Sequence, residues 1–183
     1  MNYELPKTLQ VGGVEREIRS DYRAVLDICC ALSDSELNAI EKAMAALEIF
    51  YPDFKDIPPS DWTDALLECL KFIDHGTSHQ KKSTKLVDWE QDFPYIIGSI
   101  NRTAGYEVRA VEYMHWWTFL SLYQEMSSES TFSQILYIRD KLARGKKLEK
   151  EEREWYNRNR SIVDLRQKYT AQDEATLEAW GVK

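Results

Sequence analysis

The three histidines are the first residues to test for chemistry. His75 and His79 stand four apart, a spacing that on a helix would turn two imidazoles toward one zinc ion. No cysteine or carboxylate at matching spacing completes a ligand set. The segment around them, HGTSHQKKSTK at 75–85, has no large apolar residue and reads as a solvated linker. His115 could act as a general base, with Glu112 about one helical turn before it. Such pairs are common on helices, and no second motif supplies a nucleophile. A packed, hydrogen-bonded structural histidine is the weightier expectation. Cys29 and Cys30 are adjacent in a helical pattern and cannot form an ordinary disulfide there, while Cys69 lies on an apolar face. An odd cysteine count without regular spacing points to buried thiols in a reducing compartment. Phosphate-binding glycine loops, nucleophile elbows, HExxH and paired CxxC motifs are all missing. The sequence therefore nominates no catalytic residue, cofactor or metal ligand, and the chain is expected not to be an enzyme.

Trp116-Trp117 is the second candidate, as a stacking platform for bases or sugars. Platforms for nucleic acid interleave aromatics with Lys and Arg, and the sequence has neither between Val111 and Met126. Core packing comes first and a protein interface second. The pairs Lys81-Lys82 and Lys146-Lys147 read as solvated loops, and the acidic run at 149–154 as the start of a helix, where negative charge is favourable. The formal net charge is -7, which argues against nucleic acid and anionic membrane as partners.

The element that must position these residues is a helix expected over 108–126. Tyr113, Trp116, Trp117, Phe119, Leu120, Leu122 and Tyr123 would cover roughly two-thirds of its circumference. Thr118, Ser121, Gln124 and Glu125 fall in the remaining arc. A helix so apolar needs neighbours on most sides, and the rest of the chain supplies them. Strands on either side of Gly12-Gly13 form a hairpin with Val11 opposite Val14 and with Leu5, Leu9, Val11, Val14 and Ile18 on one face. Ser20 or Asp21 caps a helix bearing Tyr22, Val25, Leu26, Ile28 and Cys29. Ser33 and Glu36 have capping-box spacing and open a helix with Leu37, Ile40, Met44, Leu47 and Phe50, which Pro52 ends. Ser60 caps a third, with Trp62, Ala65, Leu66, Cys69, Leu70 and Ile73. Asp88 or Asp92 caps the next, with Trp89, Phe93, Ile96, Ile97 and Ile100, and Gly105 stops it. Beyond the central helix, Phe132, Ile135, Leu136 and Ile138 mark another.

The fold class expected is mainly α: a compact helical domain of about six to seven helices with an N-terminal β-hairpin. The hairpin and helical domain occupy 1–147, with a linker at 75–87. A polar helical tail occupies 148–183, where Ile162, Leu165, Leu177 and Trp180 are the sparse apolar anchors beyond Trp155 and Tyr156. That tail has to pack partly, fray, or dock on something. No signal pattern opens the chain and no apolar run of about eighteen residues occurs, so a cytoplasmic protein is expected.

At the central stretch the sequence resembles the bacteriophage "gene product fifteen" family of tailed phages and prophages. Leu5-Pro6 precedes Val11-Gly12-Gly13-Val14-Glu15 and then Ile18-Arg19-Ser20-Asp21-Tyr22-Arg23, similar to that family's hairpin followed by aspartate, aromatic, arginine. Asp88-Trp89-Glu90-Gln91-Asp92 with Tyr95-Ile96 resembles its second region, and Tyr113-Met114-His115-Trp116-Trp117-Thr118-Phe119-Leu120 its histidine–double-tryptophan core. Phe132-Ser133-Gln134-Ile135, Ile138-Arg139 and the helix around Trp155-Tyr156 follow at similar distances. Pro94 departs from the family pattern. The resemblance covers roughly residues 3 to 165. It implies a gene placed between those for the major tail protein and the tape measure protein, the position of tail assembly chaperones. By that implication the protein works in the host bacterial cytoplasm, binds the tape measure protein and assists tail-tube assembly without catalysis. Further partners would be a second tail assembly chaperone, the tail-tube protein, or itself as an oligomer. The alternative is a structural tail or connector component retained in the virion. The residues nominated for the core or for partner binding are Tyr113, His115, Trp116, Trp117, Phe119, Leu120, Trp89 and Trp155.

Overall fold

The computed structural model describes residues 4–75 and 86–166. Leu177, Trp180, His79, Lys81 and Lys82 lie outside them. The described residues form a two-stranded antiparallel hairpin and eight α-helices.

Strands β1 (Thr8–Val11) and β2 (Val14–Glu17) pair with Val11 opposite Val14. Gly12 and Gly13 turn between them at φ 57° and 80°, the positive values a two-residue hairpin turn demands. Val11 and Ile18 are buried, but Leu5 and Val14, expected on the same face, are 46% and 49% exposed. The hairpin meets the third helix along β1, and its turn is tied there by Gly12 N–H donating to Asp64 Oδ2 at 2.9 Å. Val14 stays at the rim.

Helix α1 (Tyr22–Ser33) starts at Asp21, whose carboxylate accepts from the Arg23 N–H. Helix α2 (Ala39–Phe50) is capped reciprocally by Asn38 and Glu41, not by Ser33 and Glu36. The same spacing signal occurs twice in this stretch. The first copy is unusable because Ser33 still belongs to α1. Ile40, in the first turn of α2, is 76% exposed, since the core covers the stripe only from Met44 onward. Helix α3 (Trp62–Ile73) has no side-chain cap. Pro59 instead opens a 3-10 turn that runs into the helix, and Ser60 Oγ donates to Asp61. Its buried face is Ala65, Cys69 and Phe72, which leaves Leu70 at the boundary of exposure.

Helix α4 (Trp89–Ala104) takes Asp88 as its cap and carries Pro94 inside. Gly105 closes it in the left-handed conformation at φ 79°. The long helix expected over 108–126 is not formed. A 3-10 turn (Val108–Ala110) and an extended stretch precede a nine-residue helix, α5 (Trp116–Gln124). The reason is competition for backbone hydrogen bonds. Asp21 and His115 form an isolated antiparallel bridge. Tyr22 N–H donates to Met114 O at 2.9 Å, and Trp116 N–H to Ser20 O at 2.8 Å. Within α5 the polar arc falls as expected, with Thr118, Ser121 and Gln124 exposed.

Ser130 caps α6 (Thr131–Ala143). Helices α7 (Lys150–Arg158) and α8 (Arg160–Val163) follow. One large core joins the hairpin with α1 to α5 and Phe132 of α6. A smaller cluster of Ile135, Ile138, Leu148 and Val163, flanked by Trp155, Tyr156 and Ile162, fastens α7 and α8 onto α6.

Candidate partner-binding groove

Each nominated aromatic residue of α5 does a specific structural task. The last carbonyls of α3 have no partners within their own helix. Trp116 Nε1 donates to Ile73 O and Trp117 Nε1 to Phe72 O, both at 2.9 Å. The adjacent tryptophans therefore finish α3 from outside, one ring buried and the other half-buried. His115 is the N-cap of α5. Its Nδ1 accepts the Trp117 N–H at 3.0 Å, so Nε2 carries the proton and donates it to Pro6 O at 3.0 Å. Both ring nitrogens are engaged and the ring is 2% exposed. Burial pushes its pKa below the ordinary 6.5. The neutral Nε2–H tautomer fits these partners, and the imidazole ties the segment before the hairpin to α5.

The stretch Ser20 to Arg23 is the counterpart of this helix. Asp21 Oδ2 accepts the Met114 N–H at 3.0 Å. Arg23 reaches Val111 O at 2.7 Å and both oxygens of Asp21 at 3.1 Å, and it lies 4.7 Å over the Tyr22 ring. Ser20 Oγ and Tyr113 Oη are 2.8 Å apart, while the exposed face of Tyr113 carries Lys7. Tyr22 is in turn stacked on Phe119.

These contacts fix the floor of an open groove between α1 and α4, with a cavity of about 270 Å³. Tyr22, Leu26, Cys30, Trp89 and Phe93 supply its apolar lining, and Arg23, Asp27 and Glu90 its charged rim. Trp89 leans on α5 through Trp116 and Tyr123, at ring separations of 6.3 and 5.4 Å. An apolar trough with a charged rim is the geometry that receives side chains from one face of an amphipathic helix. A second depression, between α4 and the start of α6, is lined by Gly98, Ser99, Arg102, Ser127 and Glu129 and is too polar for that use.

The structure thus brings Trp89, Trp116 and Phe119 together behind one groove. Leu120 packs on the same core. Trp155 belongs instead to the smaller cluster under α7. His75, one of the two histidines weighed as zinc ligands, has its ring 4.5 Å from Trp117. Among the described residues, no three His, Cys, Asp or Glu side chains are grouped to hold a metal ion. Burial pushes the Cys29 and Cys69 thiols up to about 12, which keeps them protonated and unreactive.

Sequence reasoning missed the buried pair Asp92–Arg139. The guanidinium donates to the two Asp92 oxygens at 2.6 and 2.9 Å, to Leu86 O at 2.8 Å, to Val163 O at 2.6 Å and to Ile162 O at 3.0 Å. All five of its N–H donors are used. The signal was present. Asp92 is in phase with Ile96 and Ile100, and Arg139 with Ile135. Opposite charges on two core-facing stripes require each other.

A family model described as "Bacteriophage Gp15 protein" matches residues 1–165. No curated protein and no solved structure matches the chain. No helix among the described residues is long and apolar enough to cross a membrane.

Proposed function

Because this chain belongs to the bacteriophage Gp15 family, we propose that it serves phage morphogenesis as a tail assembly chaperone. It binds the tape measure protein in the host bacterial cytoplasm, keeps it soluble and assists the tail tube in polymerising around it, without catalysis. The observation that supports this role is the open α1/α4 groove, with Tyr22, Leu26, Trp89 and Phe93 facing a charged rim. A tape measure protein is long and helical with apolar faces, and such faces aggregate when left exposed. A trough that accepts one apolar face at a time shields them reversibly. The net charge of -7 would help keep the complex in solution. A second chaperone, the tail-tube protein or a second copy of this chain would join the complex through other surfaces.

The test is mass spectrometry of purified virions together with the lysate. A chaperone is abundant in the lysate and absent from finished particles. Stoichiometric retention would contradict this role and make the protein a structural tail or connector component.

A further inference from the structure

The charges on the groove's rim do not balance. Tyr22, Leu26 and Cys30, four apart along α1, line one wall, and Trp89 and Phe93 on α4 line the other. At about 1.5 Å per residue the α1 wall runs roughly 12 Å, a little over two helical turns. Each wall carries an exposed carboxylate, Asp27 on α1 and Glu90 on α4. The cation of the rim, Arg23, is already matched. Its Nη1 donates to both oxygens of Asp21 at 3.1 Å and its Nη2 to Val111 O at 2.7 Å, and the guanidinium lies 4.7 Å over the Tyr22 ring. The wider surface has the same sign as the two carboxylates. The described residues before Arg139, which supply both walls, hold 22 acidic and nine basic side chains, whereas residues 139–166 hold six acidic and ten basic. None of residues 139–166 lines the groove.

We propose that the groove selects by charge: it takes an amphipathic helix whose apolar stripe is bordered on both edges by Lys or Arg, and turns away one bordered by Asp or Glu. A helix seated between α1 and α4 directs its apolar side chains at Leu26, Trp89 and Phe93. The residues bordering that stripe then come beside Asp27 on one edge and Glu90 on the other. A lysine or arginine there meets a carboxylate while its methylene stem covers apolar rim. An aspartate or glutamate there meets like charge beside apolar ring faces, and that repulsion suppresses the wrong partner as the attraction favours the right one. A single exposed ion pair contributes little. Here the apolar contact sets the position of both borders at once, and the acidic field around the groove steers a basic helix toward it. This selectivity rests on the docking role proposed above and adds to it the chemistry of the segment that docks.

Two helical peptides test this on the full chain. Both are alanine-based with three leucines at spacings of four and three, and both carry the same neutral dye. One has Lys at the positions bordering the leucine stripe, the other Glu. Binding is followed by fluorescence anisotropy. At low salt the Lys-bordered peptide is expected to bind about tenfold more tightly, the sum of two small attractions and two small repulsions. In about 1 M NaCl, where the screening length is about 3 Å, most of that preference should vanish. It should also fall several-fold at low salt in the Asp27→Asn/Glu90→Gln variant, whose substitutions lie on exposed side chains. A preference that the variant keeps in full overturns the proposal. A readout that needs no variant is alkylation of Cys30, which lines the groove, by iodoacetamide. Saturating Lys-bordered peptide should slow it several-fold, and an unchanged rate places the peptide elsewhere and overturns the proposal. Equal affinities of the two peptides at low salt also overturn it, while leaving the docking role in place. If neither peptide binds, the docking role fails and the proposal falls with it.

Discussion

Tyr22 and Phe119 lie face to face, with ring centroids 4.6 Å apart and planes 6° from parallel. Tyr22 is the first residue of α1 and lines the groove, while Phe119 is in the middle of α5 and fully buried. The stack joins the groove-lining start of α1 to the middle of α5. Phe119→Ala removes the support and leaves a cavity. It is expected to cost about 3–5 kcal/mol, read as a lower urea midpoint. An unchanged midpoint would show that the stack carries no weight.

The two adjacent tryptophans should separate into different energies. Trp116 is fully buried, so Trp116→Ala is expected to cost about 3–5 kcal/mol. Trp117→Phe keeps an aromatic ring and deletes the donor to Phe72 O. Its expected cost is about 1–2 kcal/mol, that of one hydrogen bond whose acceptor loses a partner. Equal losses in the two variants, measured by chemical denaturation, would contradict this division of labour.

The Arg139–Asp92 pair locks α4 to α6 and holds the end of α8. Removing either partner leaves a buried charge unmatched, so Arg139→Ala and Asp92→Ala are each expected to cost about 3–5 kcal/mol. The double variant should lose well under the sum, because the two side chains act as a unit. Additive losses in a double-mutant cycle would show that they do not. Arg139→Lys should fail to rescue, since three donors cannot replace five.

His115 gives the fold a pH dependence of definite sign. Its pKa is lowered in the folded state, chiefly by burial. Above the ordinary value of about 6.5 both states hold it neutral and it contributes no slope. As pH falls through 6.5 the unfolded chain takes up the proton first, so stability declines from there down to the folded pKa. Melting temperature is expected to drop between pH 7 and 5. His115→Asn, whose side-chain oxygen can replace the cap to Trp117, should remove part of that drop. An identical pH profile in the variant would contradict the assignment.

How much of this was legible in the sequence differs by element. The hairpin register followed from Gly12-Gly13, and the helices from their apolar spacing. Asp21 and Asp88 are among the caps that the spacing allows, while Asn38–Glu41 repeats the spacing of Ser33–Glu36, and only the end of α1 decides between the two. The extended stretch before α5 was not legible, because periodicity records which faces are apolar and not which backbone groups find a partner elsewhere. Only the bridge from Asp21 to His115 reveals why a pattern fit for a long helix starts at Trp116. Trp89, Trp116, Trp117, Phe119 and Leu120 share one core, whereas Trp155 packs in the smaller cluster, and the task of each was not legible in the sequence. Indole N–H groups that finish α3 and a histidine that caps α5 depend on three-dimensional neighbours. The groove itself joins residues of α1 and α4 that lie about sixty residues apart in the chain.

The most direct test of the central claim is co-expression of the tagged protein with the tape measure protein from the same gene cluster, beside a Phe93→Glu variant of matched melting temperature. Phe93 is half-buried in the groove wall, so the substitution charges the trough without emptying the core. The account predicts that the unaltered protein co-purifies with a soluble tape measure protein and that the variant loses most of this association. No association with the unaltered protein, and a tape measure protein equally insoluble with and without it, would contradict the account.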